Sequence, residues 1–270
     1  MLQYMEWTED CLSIEEQGHK GDQKGSEKFG KHVYANPYTP CQCPILALAV
    51  HLFSCPERTA TGKQQQFIDT DNKKRFGRTL QRVIAALDKE ETCILGCNPD
   101  DFGTHSLRKG SSSYALGQVY GPTTVSVICG WARASVISRY IHFGEGADQL
   151  CGTMIAGFNS KRFAVLPPHF PLELSAKMTI KYWNEIVSGY SNYPRGAQAA
   201  FPYLLASIVH YEQYLRQVLS TNHTIFKARV FSAHMLLPQL RGATVLAIGE
   251  SPVTGMKTTG IPPHLAVLRK

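Results

Sequence analysis

Hydrophobic and polar positions alternate near the start of the chain and take a helical period further on. Residues 5–16, MEWTEDCLSIEE, alternate closely enough to predict a strand, and a second short strand is predicted at His32–Ala35. Residues 43–54 form an apolar run with Pro44 near its first turn, which predicts a buried helix. Residues 76–90 place apolar side chains on one face and arginines on another, which predicts an amphipathic helix.

The helical pattern continues through the second half of the chain. A helix is predicted at 105–117, and two more follow the Gly-Pro break at 121–122, at 123–131 and 135–143. Two further helices are predicted at 172–190 and 203–220, and the spacing of their aromatic residues favours core packing over base stacking.

These elements predict an α+β fold that is mainly helical, with a small antiparallel sheet near the N-terminus. The double proline at 167–168 marks a boundary between two parts. We therefore predict a catalytic domain over residues 1–168 and a helical C-terminal region over residues 169–270.

Composition is that of an ordinary globular protein, with 43% hydrophobic and 18% charged residues. No apolar run is long enough to span a membrane, and the acidic N-terminus is unlike a targeting peptide, so an intracellular protein is expected. The eight cysteines lack paired CxxC spacing, which favours reduced, buried thiols over a zinc site.

Positive charge is concentrated in particular stretches of the chain, whose formal net charge is +7. Between Asp101 and Glu145 lie 43 residues with four cations and no acid, and Arg58 to Lys89 holds eight cations against three acids. A basic surface suits a polyanion such as DNA, although moderate basicity also serves solubility alone.

One acid-free stretch combines four side chains that metal-free cleavage of a phosphodiester requires. His105 and Arg108 are three residues apart and share a helix face, and Trp131 and Tyr140 follow within the same stretch. Arginine binds phosphate through two parallel hydrogen bonds, and histidine and the indole N–H are further donors. A tyrosine can attack phosphorus, and a lysine on a turn can protonate the leaving oxygen.

The same residues carry a resemblance to a known family. THSLRKG at 104–110 resembles the H-x-L-R box of the tyrosine recombinases (the phage integrase family), and ICGWARASVISRYI at 128–141 resembles their closing box. In that box the nucleophilic tyrosine lies nine residues after the Gly-Trp tryptophan, as Tyr140 does here. The N-terminal strand and turn resemble the segment with the catalytic lysine, which maps to Lys20, with Lys24 as the second choice.

The resemblance implies site-specific DNA recombination or integration, and it is closest to the eukaryotic mobile-element recombinases of the Crypton, DIRS and Ngaro types. Tyr140 would form a 3′-phosphotyrosine, with Arg108, His105 and Trp131 on the non-bridging oxygens and Lys20 as the acid. Neither ATP, a metal nor another cofactor is needed, and the expected partners are double-stranded DNA and further copies of the chain in a tetramer. A nuclear location is expected in a eukaryote. The side chains predicted to contact DNA are Lys24, Arg78, Lys109, Arg133 and Arg139.

Several alternatives stay open. Other candidate nucleophiles are Tyr114, Tyr120 and Ser111–Ser113. The family carries an arginine before the lysine segment, whereas the first arginine here is Arg58, so we expect an N-terminally incomplete enzyme or an inactive DNA-binding or protein-interaction remnant. A globular scaffold without any nucleic-acid role is the third alternative.

Overall fold

The computed structural model describes residues 2–8, 10–15, 30–54, 71–95, 98–117, 145–158, 166–232 and 236–246. At a few of these positions, Arg108 among them, only the backbone is described. The fold is α+β and mainly helical with a small antiparallel sheet, as the sequence predicts.

The sheet has three antiparallel strands in the order β1-β2-β3. They are β1 (Met5–Trp7), β2 (Leu12–Glu15) and β3 (Gly30–Val33). The single strand predicted over 5–16 is wrong, because the chain turns back at Thr8. There the Thr8 backbone N–H and side-chain hydroxyl both donate to the carbonyl of Cys11, at 2.9 and 3.1 Å. A threonine hydroxyl bonded within its own turn is a local alternative to strand pairing.

Eleven α-helices lie in the described part of the chain. They are α1 (Pro44–Ser54), α2 (Asn72–Ala85), α3 (Lys89–Leu95), α4 (Thr104–Gly117), α5 (Glu145–Ile155), α6 (Leu172–Lys177), α7 (Ile180–Ile186), α8 (Arg195–His210), α9 (Glu212–Val218), α10 (Arg229–Ser232) and α11 (Leu236–Ala243). The helices predicted at 43–54 and 105–117 are confirmed as α1 and α4, whereas those predicted at 123–131 and 135–143 lie outside the described residues.

Three predicted helices are shorter than expected. The helix predicted at 76–90 begins earlier and ends at Ala85, before α3. The one predicted at 172–190 divides into α6 and α7, because Thr179 caps α7 by accepting a hydrogen bond from the Tyr182 N–H at 3.4 Å. The one predicted at 203–220 divides into α8 and α9 at Tyr211, where ψ is 17°.

Helix α8 lies at the centre of the hydrophobic core. It packs against β1, α1, α9 and α11, and Phe201 at its middle is fully buried among aromatic rings. Those rings belong to Phe53, Trp183, Tyr190 and Tyr193. The prediction that the C-terminal aromatic residues serve core packing is therefore confirmed.

One continuous core includes residues on both sides of the boundary predicted at residue 168. It runs from Leu2 in the N-terminal segment to Leu240 in α11. By contrast, α2, α3 and α4 contribute few buried side chains, namely Ile84, Ser112 and Ala115. The division into domains 1–168 and 169–270 stays a prediction.

Candidate functional site

Helix α4 carries two of the predicted catalytic residues, and α2 packs against its first turn. Gly77 of α2 lies close enough that a Cβ added there would be 3.8 Å from the Thr104 methyl group. The Gln81 side-chain amide donates to the Phe102 carbonyl at 2.7 Å, just before α4 begins. These two contacts fix α2 beside the turn of α4 that holds His105 and Arg108.

The α2–α4 pair carries a basic surface. Arg75, Arg78 and Arg82 are exposed and follow one another at spacings of three and four residues, so they form a stripe about 10 Å long. On α4, His105 and Lys109 are exposed as well. The sequence of α2 contains no acidic residue, and positive charge therefore dominates this helix.

Helix α5 docks against the outer edge of the sheet through a buried carboxylate. Asp148 is 5% exposed, and its Oδ2 accepts the backbone N–H of His32 at 2.7 Å. The His32 Nδ1 lies 3.0 Å from the same oxygen, and the Lys31 Nζ lies 3.4 Å from Oδ1. These contacts connect β3 to a helix more than a hundred residues away in sequence.

Glycine at position 152 allows this close approach. A Cβ at Gly152 would clash with the His32 carbonyl oxygen and would lie 3.0 Å from the Tyr34 ring. The end of α5 continues the contact, since Ala156 and Phe158 form a small buried cluster with Cys11 and Tyr34. Burial raises the pKa of the Cys11 thiol to about 12, so this thiol is a packing group rather than a nucleophile.

The structure brings together the elements that carry or flank the predicted site residues. Helix α5 contacts both β3 and α4. Strands β2 and β3 flank the connection with Lys20, α4 carries His105 and Arg108, and α5 begins five residues after Tyr140. The predicted DNA contacts Arg78 and Lys109 lie on α2 and α4. The remaining predicted site residues lie outside the described residues: Lys20, Lys24, Trp131, Arg133, Arg139 and Tyr140.

The alternative nucleophiles differ in their surroundings. Tyr114 is 47% exposed on α4, whereas Ser112 is buried and the Ser111 hydroxyl donates to the Leu107 carbonyl at 2.8 Å. A hydroxyl bonded to its own helix backbone is poorly placed for attack. Ser113 is exposed on α4 as well, and Tyr120 lies outside the described residues. Among the described alternatives, Tyr114 is therefore the accessible phenol that an experiment must test.

The described cysteines occupy mixed environments. The thiols of Cys11, Cys43 and Cys151 are buried, whereas those of Cys41 and Cys93 are exposed. Within the described ranges, no group of three potential metal-binding side chains comes together. In the CQCP segment the Cys43 sulfur accepts the Asn36 N–H at 3.3 Å while Cys41 faces solvent, so the two thiols do not share a site.

Sequence reasoning did not identify Asp148 and His32 as a pair. They are 116 residues apart, and neither residue stands in a recognisable motif. A signal could have come from Gly152, which lies four residues after Asp148 and therefore on the same face of α5. A small residue one turn from an acid is consistent with a close helix contact but does not specify the partner.

Comparison with known proteins gave no match to a protein-family model, to a curated protein or to a solved structure. Among the helices in the described ranges, none combines the length and the apolar character needed to cross a membrane.

Proposed function

We propose that this protein breaks and rejoins DNA strands through a covalent 3′-phosphotyrosine, as a site-specific recombinase of mobile-element origin. The proposal rests on the two sequence boxes that resemble the tyrosine recombinases and on the arrangement of the elements around them. Tyr140 is the nucleophile, Arg108, His105 and Trp131 hold the non-bridging oxygens, and Lys20 protonates the leaving oxygen.

The observation that carries the proposal is the position of α5. This helix starts five residues after Tyr140, and it contacts both α4, with His105 and Arg108, and β3, which follows the connection with Lys20. Residues far apart in the sequence must meet at one phosphate for this chemistry, and the contacts of α5 bring their flanking elements to one side of the molecule. The contacts support a shared site among the predicted residues.

The chemistry needs neither a metal nor a nucleotide cofactor, because the phosphotyrosyl bond keeps the energy of the broken phosphodiester. Arg108 and His105 stabilise negative charge that develops on the phosphate oxygens. A free 5′-hydroxyl of another strand then attacks the phosphotyrosine and reverses the reaction. Exchange between two duplexes requires several active sites, which is consistent with a tetramer on DNA, and a DNA substrate implies a nuclear location in a eukaryotic cell.

The α2–α4 surface is the second support. Arg78 and Lys109 are exposed on α2 and α4, and these helices pack against each other. Their contact is at the N-terminal end of α4, where His105 lies. Cations there can neutralise phosphates next to the cleaved one and hold the duplex in register. Lys24, Arg133 and Arg139 complete the proposed set of DNA contacts.

A trapping experiment tests the function. A pool of nicked duplexes with a randomised central sequence is incubated with the protein, and the nick lets a short strand diffuse away so that the adduct cannot be resealed. We expect a protein–DNA adduct that survives denaturation and disappears in Tyr140→Phe. Tyr114→Phe, which removes the exposed phenol of α4, is the matched control and should keep the adduct. An adduct that persists in Tyr140→Phe contradicts the assignment.

One sequence observation favours a second candidate, a DNA-binding domain without cleavage activity. No arginine precedes Arg58, whereas the recombinases place one before the lysine segment. An arginine on a phosphate in the transition state contributes about 3 kcal/mol, so residues 1–270 by themselves would cleave DNA more slowly than with such an arginine. This candidate predicts salt-dependent DNA binding with no adduct on any nicked duplex.

A further inference from the structure

The carboxylate of Asp148 covers part of one edge of the sheet. Among the described residues, strand β3 is the last in the order β1-β2-β3, so no further described strand pairs with its outer edge. Asp148 accepts the His32 N–H on that side at 2.7 Å, and Gly152 brings the backbone of α5 against the His32 carbonyl. The helix thus replaces a fourth strand at this position.

Desolvation of a charged carboxylate costs several kcal/mol unless donors compensate for the lost water. An apolar residue at this position would leave the His32 backbone N–H without its acceptor. Asp148 instead has two donors on one oxygen and an ammonium group near the other. Such an arrangement fixes direction as well as distance, because each donor must point at a particular oxygen. These contacts therefore fix the placement of β3 against α5.

We infer that Asp148, together with His32, is a positioning residue. The pair holds the start of β3, where the connection with Lys20 ends, against α5, the helix that follows Tyr140. This inference rests on the proposed function. Residues 16–29 join β2 to β3, and His32 lies three residues beyond the end of that connection. The Asp148–His32 contacts therefore fix the position of the end of the connection that carries Lys20 relative to α5, which follows Tyr140 in the chain.

The step that depends on this placement is the departure of the 5′-oxygen. The Tyr140 oxygen forms a bond to phosphorus, its phenolic proton passes to solvent, and the bond from phosphorus to the 5′-oxygen breaks. The Lys20 ammonium gives one proton to that oxygen and is later reprotonated from solvent. A general acid must be within hydrogen-bond reach of the atom it protonates, so a displaced connection slows this transfer in particular.

A sulfur substitution separates this role from a merely structural one. A thiol has a pKa of about 8.5, against about 15.7 for water, and a thiolate therefore leaves without a proton. The scissile position is first located by sequencing the DNA trapped from the randomised pool. Two nicked duplexes are then made with that sequence, one with the ordinary 5′-oxygen and one with a bridging 5′-sulfur.

Asp148→Asn should cleave the oxygen substrate about 10- to 100-fold more slowly than wild type and the sulfur substrate at the wild-type rate. Lys20→Ala should likewise slow cleavage of the oxygen substrate but not of the sulfur substrate, because in both variants the lysine no longer protonates the 5′-oxygen efficiently. Lys31→Gln removes the 3.4 Å ion pair but keeps the His32 contacts, so a smaller effect with the same selectivity is expected. This milder variant decides the question if Asp148→Asn does not fold.

Glu212→Gln is the matched control, because Glu212 is, among the described residues, the other buried acid with cationic partners, Arg216 and Arg241, and it lies in α9. Any effect of Glu212→Gln on the cleavage rate should be the same for the oxygen substrate and the sulfur substrate. Equal slowing of both substrates in Asp148→Asn would overturn the inference and leave the proposed function intact. A wild-type protein that forms no adduct with either substrate would overturn both.

Discussion

The Tyr211 hydroxyl donates a hydrogen bond to the Pro37 carbonyl at 2.6 Å, in the interior of the protein. Tyr211 stands at the break between α8 and α9, whereas Pro37 lies just before α1. Burial is the main cause that raises the pKa of this phenol, which keeps the donor protonated. The contact joins segments 174 residues apart, and it ties the helical C-terminal region to the N-terminal part of the core.

Tyr211→Phe should therefore destabilise the whole fold. The variant leaves the buried Pro37 carbonyl without this donor, which costs about 1–2 kcal/mol in the free energy of unfolding. Urea denaturation followed by circular dichroism measures the loss. Tyr38→Phe is the control, because Tyr38 is 45% exposed and its truncation should leave the midpoint unchanged. Equal stability of both variants would show that the Tyr211 contact contributes nothing.

The close contact between α5 and β3 makes a second prediction. Gly152→Ala should lower the free energy of unfolding by about 1–3 kcal/mol, because the added methyl group clashes with the backbone of His32 and forces α5 away. Gly110→Ala is the matched change on α4, where an added Cβ has nothing within 4 Å. There the better helix propensity of alanine should stabilise the protein by about 0.5–1 kcal/mol. A Gly152→Ala variant as stable as wild type would contradict the packing.

Stability should also fall at alkaline pH. Burial raises the pKa of Cys11 from 9.0 to about 12, so above pH 9 the unfolded chain loses a proton that the folded chain keeps. The contribution of this thiol to the free energy of unfolding is therefore fully present below pH 9 and is lost as the pH rises toward 12. Burial also raises the pKa of Tyr34, which adds to the same trend.

Cys11→Ala should make this alkaline loss smaller, since the buried thiol no longer contributes. Denaturant titrations at several pH values between 8 and 11 give the comparison, with buffers matched in ionic strength. Cys93→Ala removes an exposed thiol and should reproduce the wild-type pH profile. Identical slopes for wild type and Cys11→Ala would show that Cys11 ionises as readily in the folded protein as in the unfolded chain.

Local patterns predicted the types of the elements better than their ends. Helix α1 follows from an apolar run that starts at a proline, because both signals lie within the helix itself. The turn at Thr8 was missed because no glycine or proline marks it, although a run of three polar residues, 8–10, interrupts the alternation there. The helix breaks at Thr179 and Tyr211 were missed because one is set by a single capping hydroxyl and the other lies at a tertiary contact.

Only part of the candidate site could be predicted from the sequence. Helix α4 was expected from its pattern, and the chemistry of its residues can be read from their types. The contact between Asp148 and His32 depends on which face of α5 meets which edge of the sheet, a tertiary choice that residue types do not encode. The acid-free stretch predicted a phosphate site without indicating the buried acid just beyond its end.

The basic stripe of α2 makes a prediction about binding that does not depend on cleavage. Replacing Arg75, Arg78 and Arg82 with glutamine should weaken binding to a duplex of random sequence, and the slope of log affinity against log salt should become shallower by roughly 2–3. Fluorescence anisotropy over a series of salt concentrations measures that slope. A control triple variant replaces the exposed residues Lys177, Lys181 and Arg195 with glutamine, which gives the same change in net charge. Equal losses in the two triple variants would mean that net charge alone drives binding, and a wild-type protein without salt-dependent binding would favour the scaffold with no nucleic-acid role.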